Sequence, residues 1–374
     1  MEKSTDILIA GGGLAGLASG IHLAKRGLAV IIIEKEPYPR HKVCGEYISN
    51  EVLHYLNWLG ADISVLHPAD ISRFEFSSVS GKNISARLPL GGKGISRYAL
   101  DNYLYEIAIQ QGCKVKNDTI TDITFESDVF TVTTSSSSHT AKVVIGAYGK
   151  RSGIDQAMGR KFIHKKSPWL AIKAHYTGDF DEHTVALHNF PGGYCGVSKT
   201  ETGVINICYL ADYATFKQHK NIDEYQKEVL YKNRLLKTIF ENSSMVFEKP
   251  LAISQICFDA KAPVENHILM TGDTAGLIHP LCGNGMAIAL HSAKIASELT
   301  IDYLEGKISR NELELRYSKE WHKHFSGRMR AGRLLAKILT KPGLNKRLMA
   351  LITLFPSLLP LIIKQTHGKP IIPA

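Results

Sequence analysis

The strongest constraint on this chain is a glycine cluster near its start. Gly11-Gly-Gly13-Leu-Ala-Gly16 follows the apolar run Ile7-Leu8-Ile9-Ala10 and opens a helical pattern from Leu14 to Arg26. A β-branched stretch, Val30–Ile33, comes next and ends at Glu34. Strand, tight turn, helix and strand within about thirty residues describe a βαβ unit. Glycines at this spacing let backbone N–H groups at the positive end of a helix reach a pyrophosphate that side chains would obstruct. Gly11, Gly13, Leu14, Ala15 and Gly16 are the expected phosphate contacts. Glu34 lies 18 residues past Gly16, where a carboxylate can accept bonds from ribose hydroxyls, and Lys35 and Arg40 follow as further cofactor-side candidates. The motif alone does not say which dinucleotide is bound.

Composition places few other limits. An apolar fraction of 44% and a charged fraction of 21% are ordinary for a folded soluble protein. The six cysteines contain no CxxC pair, so neither a metal site nor a disulfide framework is expected, and reduced thiols fit a cytoplasmic chain. The acidic start lacks the features of a secretory signal. No run of about eighteen apolar residues predicts a spanning helix.

Further along, Tyr98–Gln111 reads as an amphipathic helix, and residues 119–147 read as strands with Ser135–Ser138 at a hairpin tip. From Trp169 the period becomes two. Leu170, Ile172, Ala174 and Tyr176 alternate with Ala171, Lys173, His175 and Thr177, a strand with one face buried. Stretches at 185–190, 194–198 and 204–210 continue the pattern and predict a mostly antiparallel sheet, followed by helix over about 212–243. His267–Met270 then reads as a strand entering a second glycine-rich loop, with a helix from Met286 to Leu304.

That second loop reads Thr271-Gly-Asp273-Thr-Ala-Gly276-Leu-Ile-His-Pro280-Leu-Cys-Gly283-Asn-Gly285-Met286. Together with the first loop it resembles the FAD-dependent oxidoreductases of the aromatic-hydroxylase and geranylgeranyl-reductase type. The resemblance implies that Asp273 holds the ribityl chain of FAD. It also implies that the loop of Pro280, Gly283, Asn284, Gly285 and Met286 lies along the flavin pyrimidine edge and turns the backbone N–H groups of its non-proline residues to it, where positive partial charge stabilises an anionic reduced flavin. Arg97-Tyr-Ala-Leu100-Asp101 is similar to the family's helix start in which the arginine approaches the cofactor. Arg40-His-Lys-Val-Cys44-Gly45-Glu46 resembles the segment that passes the isoalloxazine ring in the reductase branch. Cys44 is then a proton donor or a shaper of the substrate face, or else a small buried hydrophobe. Phe190-Pro-Gly-Gly193-Tyr194-Cys195-Gly196 resembles a segment lining the substrate cavity, with the aromatic and Cys195 facing the flavin; hairpin-turn glycines are the competing account. Histidines 41, 279 and 291 are further candidates, though a lone histidine is more often structural.

The implied fold is α/β, a Rossmann-type FAD-binding domain (glutathione-reductase-like, hydroxylase subtype) with an inserted, mostly antiparallel β-sheet substrate domain and a helical C-terminal tail. The expected FAD-binding parts are 1–75, 95–155 and 265–305; the substrate domain is 76–94 and 156–264; the basic helical region is 306–374. Two features depart from related branches. The hydroxylases' Asp-Gly motif is Tyr148-Gly149 here, which puts direct reduction by NAD(P)H in doubt. Electrons then come from a separate donor protein or from transient NAD(P)H docking. The three tryptophans are far apart, unlike the Trp-x-Trp run of flavin halogenases.

The net charge of +10 belongs to the tail, where residues 307–374 hold 14 Lys and Arg against 3 Asp and Glu. One reading is a surface-lying element drawn to anionic lipid, placing the protein at the inner membrane surface. The other is a helical cap packed on the FAD domain with its basic residues solvated. No recognition module for nucleic acid accompanies the charge. The expected substrate is a hydrophobic small molecule, and the expected reaction is reduction of C=C bonds in an isoprenoid or lipid. The alternatives are a flavin-dependent monooxygenase and a flavin-free binding protein of the same fold.

Overall fold

The computed structural model describes residues 3–373. Two sheets organise it. The first holds β1 (Lys3–Ala10), β2 (Val30–Glu34), β6 (Lys114–Asn117), β9 (Ser138–Gly146), β16 (Val264–Glu265) and β17 (Ile268–Met270), with the hairpin β7 (Ile120–Glu126) and β8 (Val129–Thr134) attached to β9. Its order is β16-β17-β9-β1-β2-β6, and the neighbours from β17 to β6 run parallel. Helices cover both faces of such a sheet, so its strands are apolar throughout rather than alternating. Ile7, Leu8, Ile9 and Ala10 are fully buried, with Ile9 in register with Ile32 on one side and Ile145 on the other.

The second sheet holds β3 (Tyr47–Ser49), β4 (Ala69–Ser77), β5 (Asn83–Gly94), β10 (Trp169–Gly178), β11 (Thr184–Phe190), β12 (Gly193–Lys199), β13 (Ile205–Asp212), β14 (Ser243–Met245) and β15 (Leu251–Ser254). It is antiparallel except where β11 runs parallel to β4. Its reach into the N-terminal part is a correction to the sequence-based boundary at 76. Residues 47–49 and 69–75 pair within this sheet, although they were expected in the first unit.

The helices are α1 (Leu14–Ala24), α2 (Leu53–Leu59), α3 (Arg97–Gln110), α4 (Gly153–Ala157), α5 (Tyr213–Phe216), α6 (Ile222–Glu228), α7 (Arg234–Glu241), α8 (Gly285–Leu304), α9 (Arg310–Thr340), α10 (Pro342–Leu354) and α11 (Leu358–Thr366). α1, α3 and α8 pack together beside the first sheet, and α9 lies along α8. α6 and α7 close one face of the second sheet, where Tyr225, Leu236 and Phe240 meet Ile172, Ala174 and Tyr176.

One further expectation changes. β10 buries both faces, because Lys173 and His175 are nearly inaccessible along with Ile172 and Ala174. The tail packs on the central apolar cluster through Tyr317, Trp321, Phe325 and Met329 of α9. α11 packs on β5, with Leu359 and Ile363 against Leu88 and Ile71. Leu351, Leu354, Phe355 and Leu361 nevertheless stay exposed. No single helix among the described residues is long and apolar enough to cross a membrane, and α10 and α11 form a pair bent by 120°.

Candidate active site

At Gly11, Gly12 and Gly16 the glycine loop has no space for a side chain. Gly11 takes a φ of +107°, and a Cβ there would stand 2.5 Å from the Ala147 carbonyl oxygen. A Cβ on Gly16 would stand 1.9 Å from the Gly11 carbonyl oxygen, so β1, α1 and the end of β9 meet backbone to backbone. Gly13 caps α1 without a side-chain oxygen, and the first turn, with Leu14 and Ala15 buried, carries no acidic residue. Its N–H groups and the positive helix end therefore remain available to an anion.

Glu34 ends β2 facing this loop. Its Oε2 accepts from the Gly12 N–H at 2.8 Å, and its Oε1 accepts from Arg40 Nη2 at 2.8 Å and the Glu36 N–H at 3.2 Å. A carboxylate offers about four acceptor sites, so room for a ribose hydroxyl remains. Arg40 Nε is a buried donor with no acceptor among the described residues. Lys35 is exposed beside it. Tyr38 closes the loop's side by donating to the Gly12 carbonyl and stacking on Tyr105.

Arg97 reaches the same loop from the first turn of α3, with Nη2 3.8 Å from where a Gly13 Cβ would lie. Asp101 fixes it with two bonds, of 2.6 Å from Nε and 2.7 Å from Nη2, and also accepts from Lys42 Nζ at 2.8 Å. Burial works against the Asp101 charge, but Arg97 and Lys42 outweigh it and hold the carboxyl below its ordinary pKa. Burial likewise opposes the Arg97 charge, and Asp101 followed by Cys44 overcomes it. The arginine thus stays a fixed cation beside the glycine loop.

The second glycine-rich loop is sewn to the first sheet by side chains that sequence spacing does not reveal. Ser292 Oγ of α8 accepts from the Gly272 N–H at 2.9 Å, and Thr274 Oγ1 accepts from the Gly149 N–H at 2.8 Å. These bonds set Asp273 on a short turn after β17. No donor of the described residues bonds its carboxylate, which leaves its acceptor capacity for a ligand hydroxyl. Tyr148 turns inward, with its hydroxyl 3.3 Å from Met270 Sδ.

The Pro280–Met286 loop comes next. Pro280 is exposed, Gly283 is left-handed at φ +60° against the Tyr47 ring, and Gly285 and Met286 begin α8. Tyr194 of β12 anchors it: its hydroxyl accepts from the Leu281 N–H at 3.0 Å and pairs with His279 Nδ1 at 3.0 Å. Burial brings the His279 pKa down to about 3, so the ring is neutral. His279 Nε2 is buried with no partner among the described residues.

One expectation about a side chain is corrected here. Cys195 does not face the loop. It follows Tyr194 on a strand, so it points to the opposite side of the sheet, into the cluster with Phe190, Val197 and Tyr209. It is fully buried there, and desolvation pushes its thiol well above the ordinary range. The Asn284 side chain donates to Glu51 and accepts from Arg328, and the expectation for this residue concerned its backbone. Only its backbone can serve a cofactor. His291 sits on α8 beside His324 and Phe325, apart from these loops.

Sequence reading missed the polar seam between the two units. Glu46 is fully buried and left-handed at φ 52°. It accepts from Lys173 Nζ at 2.6 Å, from the Arg97 backbone N–H at 2.8 Å, and pairs with His175 Nε2 at 2.7 Å. Burial opposes its charge, but His175 and Lys173 outweigh it and hold its pKa low. His41, Glu46 and His175 place three potential metal ligands within 4.8 Å of one another, but the Lys173 ammonium already takes the cation's place on Glu46. Cys44 lies within this seam: its Sγ accepts from the Glu46 N–H at 3.5 Å, and its carbonyl accepts from Asn206 of β13. The only signal for the seam was an alternating strand carrying Lys and His at positions a solvated face would also explain.

Beside the seam, the sheet's inner face is apolar. Phe76, Leu187 and Leu210 meet Leu277 and Leu281 of the cofactor-side loop and Met349 of the tail.

The comparisons agree with this geometry. The FAD binding domain family matches residues 4–330. A digeranylgeranylglycerophospholipid reductase of Methanosphaerula palustris is 26% identical over 345 residues, covering 86% of this chain and 82% of that protein. Conditioned medium factor receptor 1 of Dictyostelium discoideum is 24% identical, covering 87% of this chain and 68% of the relative. Among solved structures, a geranylgeranyl bacteriochlorophyll reductase-like protein of Thermoplasma acidophilum superposes with a TM-score of 0.76 at 20% identity, covering 99% and 93% of the two chains. The flavin-dependent brominase Bmp2 gives 0.79 at 18%, covering 97% and 93%. A glycine cradle open to an anion, an uncommitted Asp273 carboxylate and an uncapped α8 start fit FAD, and the family match covers most of the chain: it belongs to the FAD binding domain family and is an FAD-dependent oxidoreductase.

Proposed function

We propose that this protein reduces C=C bonds of an isoprenoid or long-chain lipid. The observation that carries the reading is the apolar inner face of the second sheet, where Phe76, Leu187 and Leu210 meet Leu277 and Leu281 of the flavin-side loop. Such a surface suits a flexible hydrocarbon and offers an aromatic hydroxylation substrate few polar anchors. The likeness to digeranylgeranylglycerophospholipid reductases over 86% of the chain supports the same class. On this reading the fold is the glutathione-reductase-like, hydroxylase subtype, with the second sheet as the substrate domain.

Gly11–Gly16, Glu34, Arg40 and Arg97 hold the adenosine diphosphate half of the cofactor, and Asp273 with the Gly283–Met286 backbone holds the flavin half. Saturating the bond takes a hydride, which FAD supplies once reduced, and a proton. Cys44, at the junction of the two units, is the side chain placed to give that proton and to recover one from solvent. The apolar wall excludes water from the reacting carbons. With Tyr148 in the position of the hydroxylases' aspartate, electrons come from a separate donor protein or from transient NAD(P)H.

Anaerobic incubation of the holoenzyme with dithionite and a polyprenyl lipid tests this, read by mass spectrometry. Addition of two hydrogens per double bond without oxygen is the expected result. Product that forms only with O2 and gains an oxygen atom would instead establish the monooxygenase alternative.

The exposed Leu351, Leu354, Phe355 and Leu361, within a tail rich in Lys and Arg, support peripheral contact with an anionic bilayer that carries the substrate. Co-sedimentation with phosphatidylglycerol vesicles, weakened by 0.5 M salt on the order expected from charge screening, is the expected outcome. Equal recovery with neutral phosphatidylcholine vesicles would dismiss an anionic surface.

A further inference from the structure

The basic tail contributes a side chain to the heart of the cofactor loop. Glu51, on the turn after β3, is fully buried and would be costly there without a cation. Its Oε1 accepts from Arg328 Nη1 of α9 at 3.0 Å, and its Oε2 accepts from Asn284 Nδ2 at 3.2 Å and from the Gly368 N–H at 2.6 Å. Arg328 Nη1 also donates to Asn284 Oδ1 at 3.0 Å. The Asn284 amide is therefore occupied at both ends by groups that lie behind the loop.

Asn284 is also the N-cap residue of α8, a helix of 20 residues, and asparagine is among the best capping side chains. Here it caps nothing. A free asparagine would turn its Oδ1 to the first-turn N–H groups, the same donors that the loop offers to a ligand. Chain geometry reinforces the arrangement: Gly368 closes over the pair so tightly that a Cβ would stand 2.1 Å from Arg328 Nη2 and 2.7 Å from Glu51 Oε1. The Ile371 N–H donates to the Glu51 carbonyl at 2.7 Å, which ties the chain end to the same residue.

We propose that Arg328 and Glu51 are positioning residues for FAD: they hold the Asn284 side chain away from the start of α8, so that the N–H of Met286, which an asparagine cap would take, stays open to the flavin. The proposal rests on the reading that this loop faces the flavin. Its consequence is that the C-terminal helices are part of the cofactor site, and that displacing the Thr366–Ile371 segment alters the flavin environment.

Arg328→Lys tests it while keeping a cation against Glu51, because lysine lacks the planar fork that fixes Asn284. The variant should fold, bind FAD about tenfold more weakly in a flavin-fluorescence titration of apoprotein, and show a lowered flavin midpoint potential. Adding Asn284→Ala removes the competing cap and should bring FAD affinity back to within about threefold of the parent, since one neutral hydrogen bond is at stake. A structural defect alone would not be repaired by a second truncation. Wild-type affinity and potential in Arg328→Lys, or a double variant no better than the single one, would overturn the proposal. Should Arg328→Lys not fold, Gly368→Ala, which presses on Arg328 from the chain end, carries the same expectation and the same refutation. Asp273→Ala touches none of these groups, so its result reports on FAD placement itself and separates failure of that reading from failure of this one.

Discussion

Asp273→Ala lowers the affinity of apoprotein for FAD by roughly ten- to a hundredfold. The magnitude follows from a hydrogen bond to a charged acceptor, about 1.5–3 kcal/mol, at 1.4 kcal/mol per tenfold. The effect is on binding rather than folding, because the carboxylate makes no bond to the described residues. The turn that carries it is held by others, through the Gly272 N–H on Ser292 and the Gly149 N–H on Thr274. The free energy of urea unfolding of the apoprotein should therefore change by less than about 0.5 kcal/mol. Asp273→Asn keeps an acceptor without the charge and should fall between. Flavin-fluorescence titration checks the series, and an alanine variant that holds FAD as tightly as the parent refutes the assignment of Asp273 to the cofactor.

Lys173→Met has the larger effect on stability. It removes the ammonium from Glu46 while both side chains are wholly buried. Breaking such a pair from one side costs about 3–5 kcal/mol, because the remaining charge has lost its counterpart. Replacing both partners, as in Glu46→Gln with Lys173→Met, should return most of that loss. The pH dependence has a definite sign. Glu46 has a lowered pKa in the folded parent, so its contribution is present above the ordinary carboxylate range and is lost as pH falls through the lower folded value. In Lys173→Met the carboxyl protonates more readily, and the penalty should shrink in acid. Urea unfolding at pH 7 and pH 4.5 measures both points. A single variant within about 1 kcal/mol of the parent would mean that His175 and the Arg97 N–H suffice to hold Glu46.

The two sides of the site differed in how far sequence reading could reach. The turn at Gly11–Gly16 was legible because close backbone approach, which Gly11 and Gly16 show here, tolerates only a few residue types at fixed local spacing. Tyr194 and Cys195 show where that stops. Both stood in one glycine-rich stretch, and strand alternation sends the tyrosine to the cofactor loop and the cysteine to the helix-side core. Which of the two faces the site depends on where the other layer lies.

The tail shows the same limit through charge. Arg328 is one of many basic residues in its segment, and only the packing of α9 on α8 turns it inward to Glu51, 277 residues earlier. Lys173 and His175 looked like a solvated strand face until the segment around Glu46 covered them. The sequence by itself determined the βαβ unit, the two glycine-rich loops and the mostly antiparallel second sheet, since these depend on periodicity and on glycines within a few residues of each other. Only the tertiary structure decided which charges are buried. A buried charge is stable only beside its partner, and here the partners lie on segments distant in the chain.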